Sequence, residues 1–202
     1  MGTRNLTIVF MDGEYRVAQY GQWDGYPDGQ GIVCLRFLRD KMDEKLFREM
    51  LSRIKYIDED KLDKLWFNYG MNSDGSININ DADRFRNAFP EFSRNTGAKI
   101  LALIQNDGTT SNCLKDSIAF AANGLFCEWA YVVDFDKRTF EVYQGFNETP
   151  LNEEDRFYFL REYEDDDAEY HGVKLVKEFN LDDLPDDNTF IEAFKEEEVE
   201  QD

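Results

Sequence analysis

Apolar and polar side chains alternate along residues 4–20, RNLTIVFMDGEYRVAQY, on both sides of Asp12-Gly13. Val, Ile, Thr, Phe and Tyr are enriched there, and Asp-Gly is a favoured two-residue turn, so the stretch predicts a β-hairpin. The period then lengthens. In GIVCLRFLRD (31–40) apolar residues fall at 32, 33, 35, 37 and 38, a helical spacing, with Asp28 or Gly29 placed to cap the helix. In DEKLFREMLSRIKYI (43–57), Leu46, Phe47, Met50, Leu51 and Ile54 form one helical stripe.

DEDKLDKLWFNYG (58–70) places acids in a first turn and Gly70 at a stop, which predicts another helix. DADRFRNAF (81–89) and SRNTGAKILALIQND (93–107) read as helical, although the second has an apolar run that also suits a buried strand. SNCLKDSIAFAANG (111–124) begins at a capping serine, Ser111, and ends at Asn123-Gly124, so it too predicts a helix.

LFCEWAYVVDFDKRTFEVYQGF (125–146) predicts two strands around a turn at Asp136-Lys137-Arg138. Its rings and valines lie on both faces, the pattern of a sheet covered on both sides. YHGVKLVKEFNLDDLP (170–185) supplies a fifth strand, and NTFIEAF (188–194) a short last helix. The order is hairpin, several helices, hairpin, strand, helix. It predicts an α+β fold with a mostly antiparallel sheet covered by helices, in one globular domain over residues 1–190. An acidic tail is expected over 191–202.

Charge changes this picture. The 202 residues carry a net charge of −20. Residues 1–130 hold 19 acids against 16 bases, a net of −3; residues 131–202 hold 24 acids against 7 bases, a net of −17. Direct binding to nucleic-acid phosphates needs clustered Lys and Arg, so it is disfavoured. A partner protein with a basic surface suits the acidic third, which a solvated surface also explains. No apolar run is long enough to cross a bilayer, and no membrane partner is expected. The start lacks the apolar core of a secretory signal, and three widely spaced cysteines, Cys34, Cys113 and Cys127, suit free thiols. Together these predict a cytoplasmic location.

Candidate chemistry is sparse. The single histidine, His171, lies beside the polar run EDDDAEY, away from any obvious nucleophile. No Cys/His spacing suits zinc. NSDGSININDADRF (72–85) matches half of a calcium loop, but Gly70 falls where the first carboxylate ligand belongs and Asp81 where a Glu is needed. A turn at Asp74-Gly75 leading into a helix capped near Asn80 is the simpler expectation. No metal and no cofactor are expected.

One stretch stands apart. AQYGQWDGYPDGQG (18–31) leaves the second strand and enters the first helix, with glycines at 21, 25, 29 and 31. Trp23 and Tyr26 would stack on a planar, nucleotide-like ligand, and Gln19, Gln22, Asp24 and Gln30 would hydrogen-bond it. Glycines also serve tight turns, and Trp and Tyr also fasten loops to a core. Both readings stand at this level.

The runs TRNLTIVF, VAQYGQWDGYPDGQG and LFCEWAYVVDFDKRTFEVYQGF resemble a family of uncharacterised proteins of bacteriophage and bacterial genomes. That resemblance implies an accessory role, such as binding a host protein or a nucleotide in the host cytoplasm, and it carries no catalytic residue. The order of elements and the Gly2-Thr3 start also resemble N-terminal-nucleophile hydrolases. This implies a layered, α/β/β/α-like fold. It further implies amidohydrolase chemistry at Thr3, with the α-amine as base once Met1 and Gly2 are removed. The expectation favoured by the residues is a non-catalytic binding protein, with the hydrolase as its alternative.

Overall fold

The computed structural model describes residues 2–163 and 169–195. The first two strands, β1 (Asn5–Met11) and β2 (Glu14–Gly21), form the expected hairpin. Asp12 and Gly13 turn it with φ of 55° and 75°, the left-handed pair that a tight hairpin turn needs. A π-helical turn, Pro27–Gly31, then leads into α1 (Ile32–Asp40). No side chain caps α1, so neither Asp28 nor Gly29 has the expected role; the preceding turn supplies the start instead.

Helix α2 (Glu44–Arg53) is capped by Asp43, whose carboxylate accepts from the Leu46 amide at 3.0 Å. Such a cap contributes about 1 kcal/mol. A two-residue strand β3 (Lys55–Tyr56) precedes α3 (Glu59–Asn68) and α4 (Ile79–Ala88). The Asp74-Gly75 turn forms, with Gly75 at φ 80°, but the cap of α4 is Asn78 and not Asn80. The apolar run at 99–105 is helical throughout, as α5 (Lys99–Gln105).

The helix expected over 111–124 does not form. Ser111 gives its amide and hydroxyl to Glu91, at 2.9 and 2.7 Å, so it caps nothing locally. The segment instead makes β4 (Cys113–Leu114), parallel to β3, and a 3-10 turn over Ile118–Ala122.

The strands β5 (Trp129–Asp134), β6 (Thr139–Gln144) and β7 (Lys174–Asn180) complete a five-stranded sheet in the order β2-β1-β5-β6-β7. Within this sheet only β1 and β5 run parallel. The fold is therefore α+β with a mostly antiparallel sheet, as the sequence predicts. The α/β/β/α layering is not: among the described residues the one large sheet has no second large sheet stacked on it.

Every residue of β5 is buried, because both faces are covered. On one face Trp129, Tyr131 and Val133 join residues of α1, α2 and α5 and of the last helix, α6 (Asp187–Lys195). On the other, Ala130 and Val132 meet Leu6, Ile8, Tyr143, Phe157 and Leu160. Each buried Leu, Ile, Val or Phe contributes ~1.5–3 kcal/mol, so these two clusters hold the sheet in place. Ile191 and Phe194 pack on the first cluster, so the globular part extends past residue 190 to Lys195. The run EDDDA at 164–168 and residues 196–202 of the expected tail lie outside the described residues.

Candidate functional site

The stretch between β2 and α1 is fastened by its own polar groups. Asn5 Nδ2 donates to the carbonyls of Gly21 and Trp23, both at 3.3 Å. The Gly25 amide donates to Thr3 O at 3.0 Å, and the Gln30 amide to Asp24 O at 2.8 Å. Asp24 takes a left-handed φ of 55° to allow this. A Cβ on Gly29 would stand 2.2 Å from Asp24 O, so only glycine permits the approach. Beneath, Tyr131 is wholly buried and its hydroxyl donates to Gly25 O at 2.7 Å. Burial pushes its phenol pKa well up, so it stays a donor.

The side chains expected to surround one ligand are not gathered around one hollow. Gln30 donates from Nε2 to Trp23 O at 3.2 Å and accepts the Ala98 amide at 2.8 Å. Gln22 accepts the Tyr20 hydroxyl at 2.7 Å. Gln19 is buried, and its Nε2 donates to Tyr20 O and Ser93 O. Trp23 is 47% exposed, yet its indole covers Gly2, where a Cβ would lie 2.1 Å from the ring, and its Nε1 donates to Asn95 Oδ1 at 3.1 Å. These four act as fasteners. Asp24 is exposed and Thr3 contributes backbone to the loop.

Tyr26 differs, for the rigid loop pushes its ring outward, 53% exposed, over a groove. The groove has a volume of 450 Å³, within the range of small-ligand sites. It lies where β5 begins and β6 ends. Trp129 and Phe194 meet edge to face at 5.9 Å on its wall, and Phe146, half exposed, extends it. Its charged groups are Asp28, Glu128 and Lys195. Lys195 is occupied by Glu192, with Nζ 2.8 Å from Oε1, and Glu128 Oε1 accepts the Arg4 amide at 3.1 Å. The Arg4 guanidinium lies 4.3 Å from the centroid of Phe126, so exposed rings continue beyond the groove. Sequence reasoning found Tyr26 but not Glu128, Trp129, Phe146 or Phe194. Trp129 and Glu128 were visible at a strand start, a position where rings and carboxylates reach a sheet end.

A second constellation is nearly buried, on the lining of a hollow that it shares with Phe10 and Tyr15. Asp134 and Glu141, each 1% exposed, share the guanidinium of Arg156. Glu141 also accepts Thr139 Oγ1 at 2.9 Å and the Tyr143 hydroxyl at 2.7 Å, and Asp134 Oδ1 accepts the amides of Asp136 and Lys137. Burial opposes charge on Arg156, but Glu141 and Asp134 outweigh it and hold the guanidinium charged. With these partners engaged, the network clamps the 150–163 segment to the sheet and leaves little capacity for chemistry.

Cys34 and Cys127 are buried, and burial pushes the Cys34 thiol up to about 12, which makes it a poor nucleophile. The His171 amide donates to Asn147 O at 2.7 Å. Among the described residues no cluster of three or more metal-ligating side chains occurs, and no helix is long and apolar enough to cross a membrane. Comparison with family models, curated proteins and solved structures finds no match to this chain.

Proposed function

We propose that this chain is a non-catalytic binding protein that takes a basic segment of a partner protein into the Tyr26 groove. The observation that carries this is the pairing of ring faces with carboxylates. Tyr26, Trp129 and Phe194 line a groove whose charged groups are Asp28 and Glu128 together with a lysine that Glu192 already engages. An Arg or Lys side chain over such rings gains about 0.5–1 kcal/mol per contact, and more where it is desolvated. An anionic nucleotide would instead meet two carboxylates. The field of residues 131–202, net −17, acts in the same direction and would speed encounter with a basic surface. The resemblance to phage proteins fits an accessory protein that engages a host protein in this way, in the cytoplasm of the host.

Titration calorimetry with an Arg/Lys-rich peptide and with an Asp/Glu-rich peptide of equal length tests the reading. The basic peptide is expected to bind, to weaken as salt rises, and to lose at least ~10-fold in affinity on Tyr26→Ala. Equal affinity for both peptides, or binding unaltered by Tyr26→Ala, would rule the reading out.

A further inference from the structure

A separate hollow opens on the β2 edge of the sheet, and its chemistry is the reverse of the groove's. Its volume is 340 Å³. Backbone bonds set its walls: the Gln22 amide donates to Arg94 O at 2.9 Å, and the Ser117 amide to Ala18 O at 3.1 Å. Gln19 Nε2 adds a bond to Ser93 O at 3.4 Å. Two segments distant in sequence, 91–94 and 115–120, are thereby held along the free edge of β2 and its exit.

Three features mark the hollow as a site. Its cations are unspent. Arg94 and Lys115 have no hydrogen bond or ion pair through their side chains among the described residues. Every other arginine has a salt bridge, a carbonyl or a ring for its guanidinium. Second, Glu91 is wholly buried at the hollow with a half-used carboxylate: Oε1 takes both bonds from Ser111, and Oε2 has no donor. A buried carboxylate oxygen without a donor is left unsatisfied, so a group that supplies one is favoured there. Third, the rings of Tyr20 and Phe120 meet edge to face at 5.1 Å beside it, with Phe92 also on its lining. The hollow lies in the nearly neutral part of the chain, where 19 acids meet 16 bases.

We infer that this hollow binds a nucleoside monophosphate. The phosphate would pair with Arg94 and Lys115, the base would lie on the ring cluster, and a turn of the Glu91 side chain, whose Oε2 is sealed from the hollow in this structure, would bring that oxygen to a base N–H. A volume of 340 Å³ is at the small end of ligand sites, which suits one nucleotide better than a peptide. The inference is independent of the groove and would stand if the groove bound nothing.

Calorimetry on the full chain with GMP, AMP, guanosine and inorganic phosphate tests it, alongside Arg94→Ala, Glu91→Gln and Tyr26→Ala. Arg94 is exposed, so its variant is expected to melt with the parent and to report binding alone. A monophosphate is expected to bind at least ~10-fold more tightly than guanosine or phosphate, each of which holds only part of the contacts. Arg94→Ala and Glu91→Gln are each expected to cost at least ~10-fold, with Tyr26→Ala neutral. Binding of phosphate as tight as that of the nucleotides would reduce the hollow to a simple anion site and overturn the inference. So would nucleotide binding unaltered by Arg94→Ala, or no binding of GMP or AMP at millimolar concentration.

Discussion

The Tyr131 hydroxyl, wholly buried on the central strand β5, donates to Gly25 O at 2.7 Å and so ties the loop that carries Tyr26 to the core of the sheet. A loop with glycines at 25, 29 and 31 would otherwise be free to wander. The groove wall is rigid because a strand residue 106 positions away reaches it.

Tyr131→Phe therefore keeps the ring and removes only the donor. The Gly25 carbonyl is left buried and unpaired, at a cost of ~1–3 kcal/mol. Urea denaturation is expected to show that loss. Hydrogen exchange is expected to quicken at residues 22–31 more than in β5 itself. Uniform quickening across the sheet would mean that the bond does not serve the loop in particular.

Gly29→Ala places a Cβ where Asp24 O stands 2.2 Å away. The carbonyl is backbone and also accepts the Gln30 amide, so it yields only by breaking the turn. A loss of ~1–3 kcal/mol is expected in the same denaturation assay, together with weaker binding in the groove. Alanine tolerated without change would show that the turn is less constrained than its geometry indicates.

Arg156→Ala removes the shared cation and leaves the carboxylates of Asp134 and Glu141 buried without it. The expected cost is ~3–5 kcal/mol, seen as a fall in Tm. Asp134→Asn combined with Glu141→Gln in the Arg156→Met background is expected to recover part of it, since the unpaired charge is then gone. Failure of that triple variant to recover any stability would assign Arg156 a packing role and not an electrostatic one.

Asp136 supplies a pH test. The amides of Gly13 and Asp12 donate to its carboxylate at 2.8 and 2.9 Å and hold its pKa below the ordinary range. The folded pKa is the lower one, so the added stability is present above the unfolded value of about 3.9. It fades as pH falls through the folded value. Asp136→Asn is expected to flatten the acid limb of a Tm-against-pH profile slightly, because the group is exposed and screened. An unchanged acid limb would remove Asp136 from the account of the hairpin pair.

Local signals were legible and distant ones were not. The Asp12-Gly13 hairpin, the β5–β6 pair and helix α2 follow from neighbours in sequence, and each forms where the pattern puts it, although Leu46 of the predicted α2 stripe is exposed. The misreading of 111–124 has a nonlocal cause, for Glu91 takes the hydroxyl that marked Ser111 as a cap. The amides of Gln19, Gln22 and Gln30 look available in sequence, but Ser93, Tyr20 and Ala98 use them. The groove assembles from residues 26–28, 128–129, 144–146 and 191–195. No one stretch announces it, although Tyr26 was visible as a ring on a turn.

The most direct test is Trp129 fluorescence during titration with an Arg/Lys-rich peptide, in a Trp23→Phe, Trp66→Phe background that leaves one indole. The account predicts a saturable change that disappears with Tyr26→Ala and shrinks as salt rises from ~50 to ~500 mM. A Trp129 signal that ignores the basic peptide, or that responds instead to an acidic one, would contradict it.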